Sequence, residues 1–216
     1  MVTIWVYRCN GCGEGSDIRK FCNDLRRVRL LWHLAGRHDF DLPAAMNRAP
    51  IWFERKFEFT FPVELHPNLC ARLRGTPARL EEVVRGAARD HLVRKPGEKW
   101  SAQEHAGHLL DLEPLWMLRV EDYLTEASKL TAADLSNQKT YDAQHNNRPI
   151  DEILAEFRSA RLRLVSRMEK IDPAIFARTL IHPRLKTPMR LVDHLYFAAE
   201  HDDHHLAHIW ELINAG

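Results

Sequence analysis

Cysteine, net charge and long apolar runs are all scarce in this chain, and each scarcity closes off a class of explanation. The 216 residues include four cysteines, at positions 9, 12, 22 and 70. Cys9-Asn-Gly-Cys12 forms a CxxC, but no second CxxC completes a zinc ribbon and no strand-rich context suggests a thioredoxin-like fold, so the pair reads as incidental thiols. Lys and Arg total 31 against 30 Asp and Glu, a formal net charge of +1. That balance gives no reason to expect nucleic acid or another charged polymer as a partner. No apolar run approaches the ~18 residues of a membrane span, so no membrane partner is expected. The segment from Met1 to Cys12 lacks the basic-then-apolar layout of a secretory signal, which leaves the cytoplasm as the expected location. No internal repeat of fixed period is present.

What is there is an ordinary globular composition, 45% apolar and 28% charged, with room for one good-sized domain and an appendage. Residues 1–45 stand apart. They hold the CxxC, a glycine cluster (Gly11, Gly13, Gly15) and a basic amphipathic stretch from Ile18 to Leu34, compatible with a surface, membrane-touching or partner-docking helix. Met46 follows at once, and 46–216 reads as self-contained. Residues 1–45 are therefore expected to be a poorly ordered or non-native extension, with Met46 a candidate true start.

After Met46, the aromatic segment Trp52-Phe53-Glu54-Arg55-Lys56-Phe57-Glu58-Phe59 alternates like a strand. A lone strand has no pairing partner, so an extended arm over a helical body is expected. The remainder reads as four long amphipathic helices. The first runs from about Val63 to Ala88, with an interruption at Gly75-Thr76-Pro77. The second opens at Ser101, where Ser101-Ala-Gln-Glu104 is a capping-box pattern, and continues towards Glu126. A polar connection, Ala132 to Arg148, leads to a third from Pro149 to about Lys170. A loop, His182-Pro183-Arg184-Leu185-Lys186-Thr187, precedes the last helix, expected to open at Thr187 and Pro188 and to reach about Ile213. Four such helices predict an all-α, up-down four-helix bundle.

Histidine is abundant on the last helix: His194, His201, His204, His205 and His208. Two pairs, 201/205 and 204/208, have the i, i+4 spacing that places two imidazoles on one side of a helix. At ~100° per residue, Leu191, Leu195, Ala198, Leu206, Ile209 and Ile213 define the apolar stripe. His205 falls at its edge and His201 just beyond, whereas His204 points nearly opposite. The inward pair is therefore 201/205. A third imidazole is available on the second helix, where His108 shares a face with Leu112 and Leu115 and the competing His105 lies nearer the flank. Three neutral imidazoles leave a divalent ion its full charge and an open coordination position, which suits Lewis-acid chemistry. Nitrogen ligands fit zinc, nickel, cobalt or iron. Asp111, one turn from His108, and Asp202, inside the apolar stripe, are the candidate carboxylates to orient a ligand or accept a proton. Arg184, Lys186 and Arg190 are candidates to bind an anionic substrate, and His145-Asn146 to border the pocket mouth.

At these residues the chain resembles the DinB-like superfamily of bacterial four-helix metalloproteins. The carriers are Lys99-Trp100-Ser101-Ala102-Gln103-Glu104-His105-Ala106-Gly107-His108-Leu109 and Glu200-His201-Asp202-Asp203-His204-His205. Further support comes from Arg74-Gly75-Thr76-Pro77-Ala78-Arg79-Leu80 and Pro188-Met189-Arg190-Leu191-Val192-Asp193. The resemblance spans most of 46–213 and leaves out residues 1–45. It implies a DinB-like bundle with metal ligands His108, His201 and His205, and a divalent ion with zinc or nickel foremost. The implied activity is transfer of a low-molecular-weight thiol to an electrophilic co-substrate. The alternatives are hydrolysis, in which the ion activates water, and a non-catalytic metal-binding role in stress. A homodimer through a helix face is also implied.

Overall fold

The structure is a computed structural model, and it describes residues 49–125 and 127–215. The expectations for the CxxC, the basic stretch and the boundary at Met46 lie outside those residues. Among the described residues there are six α-helices: α1 (His66–Val84), α2 (Arg89–Val93), α3 (Ala102–Asp122), α4 (Gln138–Asp142), α5 (Ile150–Met168) and α6 (Leu191–Asn214). The four long ones, α1, α3, α5 and α6, make the four-helix bundle. Among the described residues no helix is long and apolar enough to cross a membrane.

The course of the chain through the bundle differs from simple alternation. Helices α1 and α3 each pack on both α5 and α6, so the sequence neighbours α1/α3 and α5/α6 lie across the diagonals. Ion pairs fix the directions. Arg74 meets Glu169 and Arg158 meets Glu81, so α1 and α5 are antiparallel. Glu113 meets Arg161 and Glu121 meets Arg167, so α3 and α5 run parallel. Arg72 meets Glu200 and Arg79 meets Asp203, so α1 and α6 run parallel. The order is up-down-down-up rather than up-down-up-down. A parallel neighbour requires a connection as long as the bundle, and residues 123–149 supply it. That crossover returns along α3 and delivers α4 and the 3-10 turn His145–Asn147 beside the start of α3.

Local chemistry sets the starts of α3 and α6, where capping boxes form. At Ser101 the expected capping box is formed: Ser101 Oγ accepts from the Glu104 N–H (3.1 Å) and a Glu104 carboxylate oxygen accepts from the Ser101 N–H (2.8 Å). The expected interruption at Gly75-Thr76-Pro77 does not occur, and α1 runs straight through Pro77. Proline removes the N–H that would bond the carbonyl four residues back. Here that carbonyl, Leu73 O, accepts instead from Arg161 Nη1 at 3.3 Å. A tertiary donor thus replaces the missing helical one.

The last helix opens at Leu191 rather than at Thr187-Pro188. Pro188–Arg190 is a strand, β2, paired antiparallel with β1 (Thr179–Ile181) in the register Thr179↔Arg190, Leu180↔Met189, Ile181↔Pro188. Burial of Leu180 and Met189 holds this hairpin against the bundle, and Asp193 accepts the Arg190 N–H (2.8 Å) to start α6.

The aromatic segment is the extended arm the sequence suggested, beginning with a 3-10 turn at Trp52–Glu54. Trp52 is buried, its ring 5.1 Å from Phe197 and 5.0 Å from His201, while Arg55 donates to Glu200 on α6 at 2.5 Å. Those contacts place an indole over the histidine-bearing face of α6.

Candidate metal centre

His201 and His205 occupy successive turns of α6, and His108 faces them from α3, the antiparallel neighbour across that interface. All three are buried, and one ring nitrogen from each lies within 4.8 Å of the others. The Nε2 atoms of His201 and His205 are 3.2 Å apart. Two nitrogens bound tetrahedrally at ~2.0–2.1 Å from one ion stand about 3.3 Å apart, so the spacing needs little adjustment.

The other ring nitrogens decide which atom is free to ligate. Nδ1 of His108 is 3.0 Å from Thr140 Oγ1 on α4, and Nδ1 of His205 is 2.8 Å from Nδ1 of His105. Both contacts leave Nε2 as the inward atom. Nδ1 of His201 is buried with no partner among the described residues. The rings are neutral: burial, followed by the charges of neighbouring imidazoles and arginines, holds His201 and His205 well below the usual histidine range. Burial also takes His108 to about 4, against the opposing pull of Asp111. A cluster of neutral imidazoles with inward lone pairs is the protonation state a divalent ion requires, and the donor set fits one.

The walls are aromatic. Trp100 lies 4.6 Å from the His108 ring, Trp116 5.7 Å and Trp52 5.0 Å from the His201 ring. Low polarity around the trio strengthens any electrostatic interaction inside it.

The two candidate carboxylates lie elsewhere than expected. Asp202 is fully buried, as its place in the stripe required, but both its oxygens are taken by Arg161, and Thr76 Oγ1 donates to it at 2.9 Å. It faces α1 and α5 rather than the imidazoles, because successive helix positions are ~100° apart. Asp111 is reached by His145 Nε2–H (2.8 Å) and by the Thr140 hydroxyl. Burial raises its pKa, but those bonds and the Lys139 charge outweigh burial and hold it below the usual carboxylate range. Asp111 therefore connects to His108 through Thr140, an indirect link.

The remaining candidates divide clearly. His105, the rejected alternative, backs His205 as a hydrogen-bond partner. His204 is half-buried beside Trp52 (5.6 Å) rather than turned fully outward. His145 does not border an opening: it is 1% exposed and packed on Gly107, where a Cβ would overlap its ring. Arg190 is committed to Asp193 and to the carbonyls of Phe59 and Phe61, and Lys186 is exposed. Arg184 alone of those three lacks an acceptor for a buried N–H, at Nη2. Thr140 escaped the sequence reading entirely. A lone threonine in a polar connection carries no periodic signal; only the crossover brings it to His108.

A four-helix bundle with a buried three-histidine centre opposite an aromatic arm defines a class of candidate metalloproteins. Within that class, the family model of the DinB superfamily matches residues 72–209, and the chain belongs to that superfamily. Among solved structures it is similar to YfiT from Bacillus subtilis, described as a probable metal-dependent hydrolase with an unusual four-helix bundle topology. The two are 23% identical with a TM-score of 0.63, over 74% of this chain and 91% of that one, a likeness of fold. No curated protein matches the chain.

Proposed function

We propose that the chain is a divalent-metal-dependent enzyme that activates a low-molecular-weight thiol for attack on an electrophilic co-substrate, with zinc or nickel held by His108, His201 and His205. The observation that carries the proposal is the convergence of three buried imidazoles, one ring nitrogen of each within 4.8 Å of the others, with the Nε2 atoms of His201 and His205 3.2 Å apart. A divalent ion among uncharged imidazoles keeps its full charge and acts as a Lewis acid towards a bound nucleophile. Thr140 and His105 hold the Nδ1–H tautomers of His108 and His205, which keeps Nε2 available. Asp111 supports that tautomer through Thr140, a positioning role. Trp52, Trp100 and Trp116 restrict water around the trio.

The commitment of Asp202 to Arg161 favours a thiol over water as nucleophile. A thiol with a pKa near ~8.5 needs far less help to lose its proton than water at ~15.7, and no carboxylate touches the trio directly among the described residues. Hydrolysis is the second reading, favoured by the description of YfiT as a probable metal-dependent hydrolase.

The test has two stages. Metal analysis of wild type beside His205→Ala is expected to give near-stoichiometric metal that falls sharply in the variant. Consumption of 1-chloro-2,4-dinitrobenzene, and of an ester, is then followed with and without added cysteine. Metal-dependent loss of the first only with thiol present supports transfer. Ester loss without thiol establishes hydrolysis instead, and stoichiometric metal with neither activity establishes a binding role.

A further inference from the structure

Next to the histidine trio lies a group of buried hydrogen-bond donors without acceptors. Arg119, on α3, is 2% exposed and has no carboxylate within ion-pair distance among the described residues. Its Nε donates to Thr131 O (2.9 Å), and its Nη1 lies 3.5 Å from His182 Nε2. The His182 ring settles what that second contact is. The Leu185 N–H donates to His182 Nδ1 at 3.1 Å, so Nδ1 carries the lone pair. A neutral imidazole then has its proton on Nε2, and burial with the nearby Arg119 and Arg184 charges keeps this ring neutral, its pKa pushed down to about 3. An N–H of Arg119 therefore faces an N–H of His182, two donors with nothing to receive them.

Three more unanswered donors or ring nitrogens surround this pair. Arg184 Nη2, Trp116 Nε1 and His194 Nδ1 are all buried without a partner. The Arg184 guanidinium sits 5.7 Å from the Phe197 ring on which His182 also packs at 5.0 Å. Trp116 lies 5.5 Å from the Arg119 guanidinium and 5.7 Å from the His201 ring, so one indole separates this group from the candidate metal centre. Buried polar groups are almost always satisfied in folded proteins, and unpaired buried charge is costlier still. A concentration of donors of one kind in one place points to an absent acceptor. A carboxylate offers two oxygens and about four acceptor positions, matching guanidinium forks and an imidazole N–H.

We propose that Arg119, His182 and Arg184 form a binding site for a carboxylate group of the substrate, which fixes that molecule across Trp116 with its reactive end towards His108, His201 and His205. The assignment of a substrate rests on the catalytic reading of the trio; the anion site itself stands on its own geometry. Arg184, the half-exposed member at the hairpin loop, is the entry side.

The experiment is calorimetric titration of succinate into the full chain at low ionic strength, metal-free and metal-loaded, with succinamide as the uncharged control. The wild type is expected to bind succinate and not succinamide in both metal states. Arg184→Gln is expected to weaken binding by roughly tenfold or more, as loss of a charge-assisted hydrogen bond should, with an unchanged melting temperature. Arg119→Lys, which keeps the buried charge and loses the fork, guards against a folding artefact and is expected to weaken binding to a similar degree. Absence of succinate binding in wild type, equal binding of succinamide, or unchanged affinity in both variants overturns the proposal. Succinate binding in a wild type that takes up no metal upholds the anion site and removes the metal reading alone. Binding by inorganic phosphate as tight as by succinate overturns the assignment to a carboxylate.

Discussion

Arg161 and Arg119 are both buried guanidiniums inside the same bundle, and the molecule surrounds them in opposite ways. Arg161, fully buried on α5, meets Asp202 with two nitrogens, Glu113 with two, and the Leu73 carbonyl freed by Pro77. Burial opposes its charge, but the two carboxylates outweigh burial and its pKa rises. Arg119 has one carbonyl acceptor and no ion-pair partner among the described residues; burial outweighs the pull of Tyr123 and Asp122, and its pKa is pushed down to about 10. Where every donor is answered, the group ties α1, α3, α5 and α6 together and offers nothing to a ligand. At Arg119 and in the histidine trio, donors and lone pairs face one another instead, and the two proposed sites rest on that difference. The contrast lies in the partners of the two guanidiniums: Arg161 has two carboxylates and a carbonyl, Arg119 one carbonyl.

The largest expected effect falls on the satisfied side. Arg161→Met leaves Asp202 and Glu113 buried together without a cation, and is expected to cost about 3–5 kcal/mol, visible as a large loss of denaturation midpoint. A loss below about 1 kcal/mol in urea titration would break the contrast. Next comes His205→Ala, expected to abolish stoichiometric metal while the metal-free protein unfolds close to the wild-type temperature; metal content by elemental analysis decides. Thr140→Val removes the acceptor of the His108 Nδ1 proton and is expected to lower metal affinity about 10–100-fold, read by chelator competition.

A subtler effect concerns pH. One guanidinium faces two carboxylates, so one carboxylate is disfavoured as an anion. Burial lifts Glu113 to about 7 against the opposing pull of Arg161, and its Oε2 has no partner. A folded pKa above the unfolded one means that the native state binds the proton more tightly. Stability from this group is thus greatest below the unfolded carboxylate range and is lost as pH rises towards about 7. Glu113→Gln is expected to flatten that part of the stability–pH curve in thermal melts, and an unaltered curve would remove Glu113 as its source. The smallest effect is expected at His204, which flanks the trio without belonging to it: His204→Ala should leave metal stoichiometry unchanged.

Much of this was legible from periodicity. The stripe on the last helix selected His201 and His205 over His204 and His208, and required Asp202 to be buried. The Ser101–Glu104 capping box located the start of the helix bearing His108. Legibility failed where partners come from distant segments. Pro77 signals a break locally, yet Arg161, many residues away, answers the carbonyl it frees. Thr140 and His145 reach α3 only because the crossover returns along it. The hairpin at 179–190 depends on burying Leu180 and Met189 against the bundle, and three-residue strands have no pattern long enough to read.

By itself the sequence determined which residues form the long helices and which imidazoles share an inward face, because both follow from the 3.6-residue turn and the aversion of apolar side chains to water. Only the tertiary structure decided the up-down-down-up course, the pairing of Asp202 with Arg161, and the placing of Arg119 against His182 and Trp116. Those depend on where separate segments meet in space, and hydrogen bonds and ion pairs act over a few ångströms, whatever the separation along the chain.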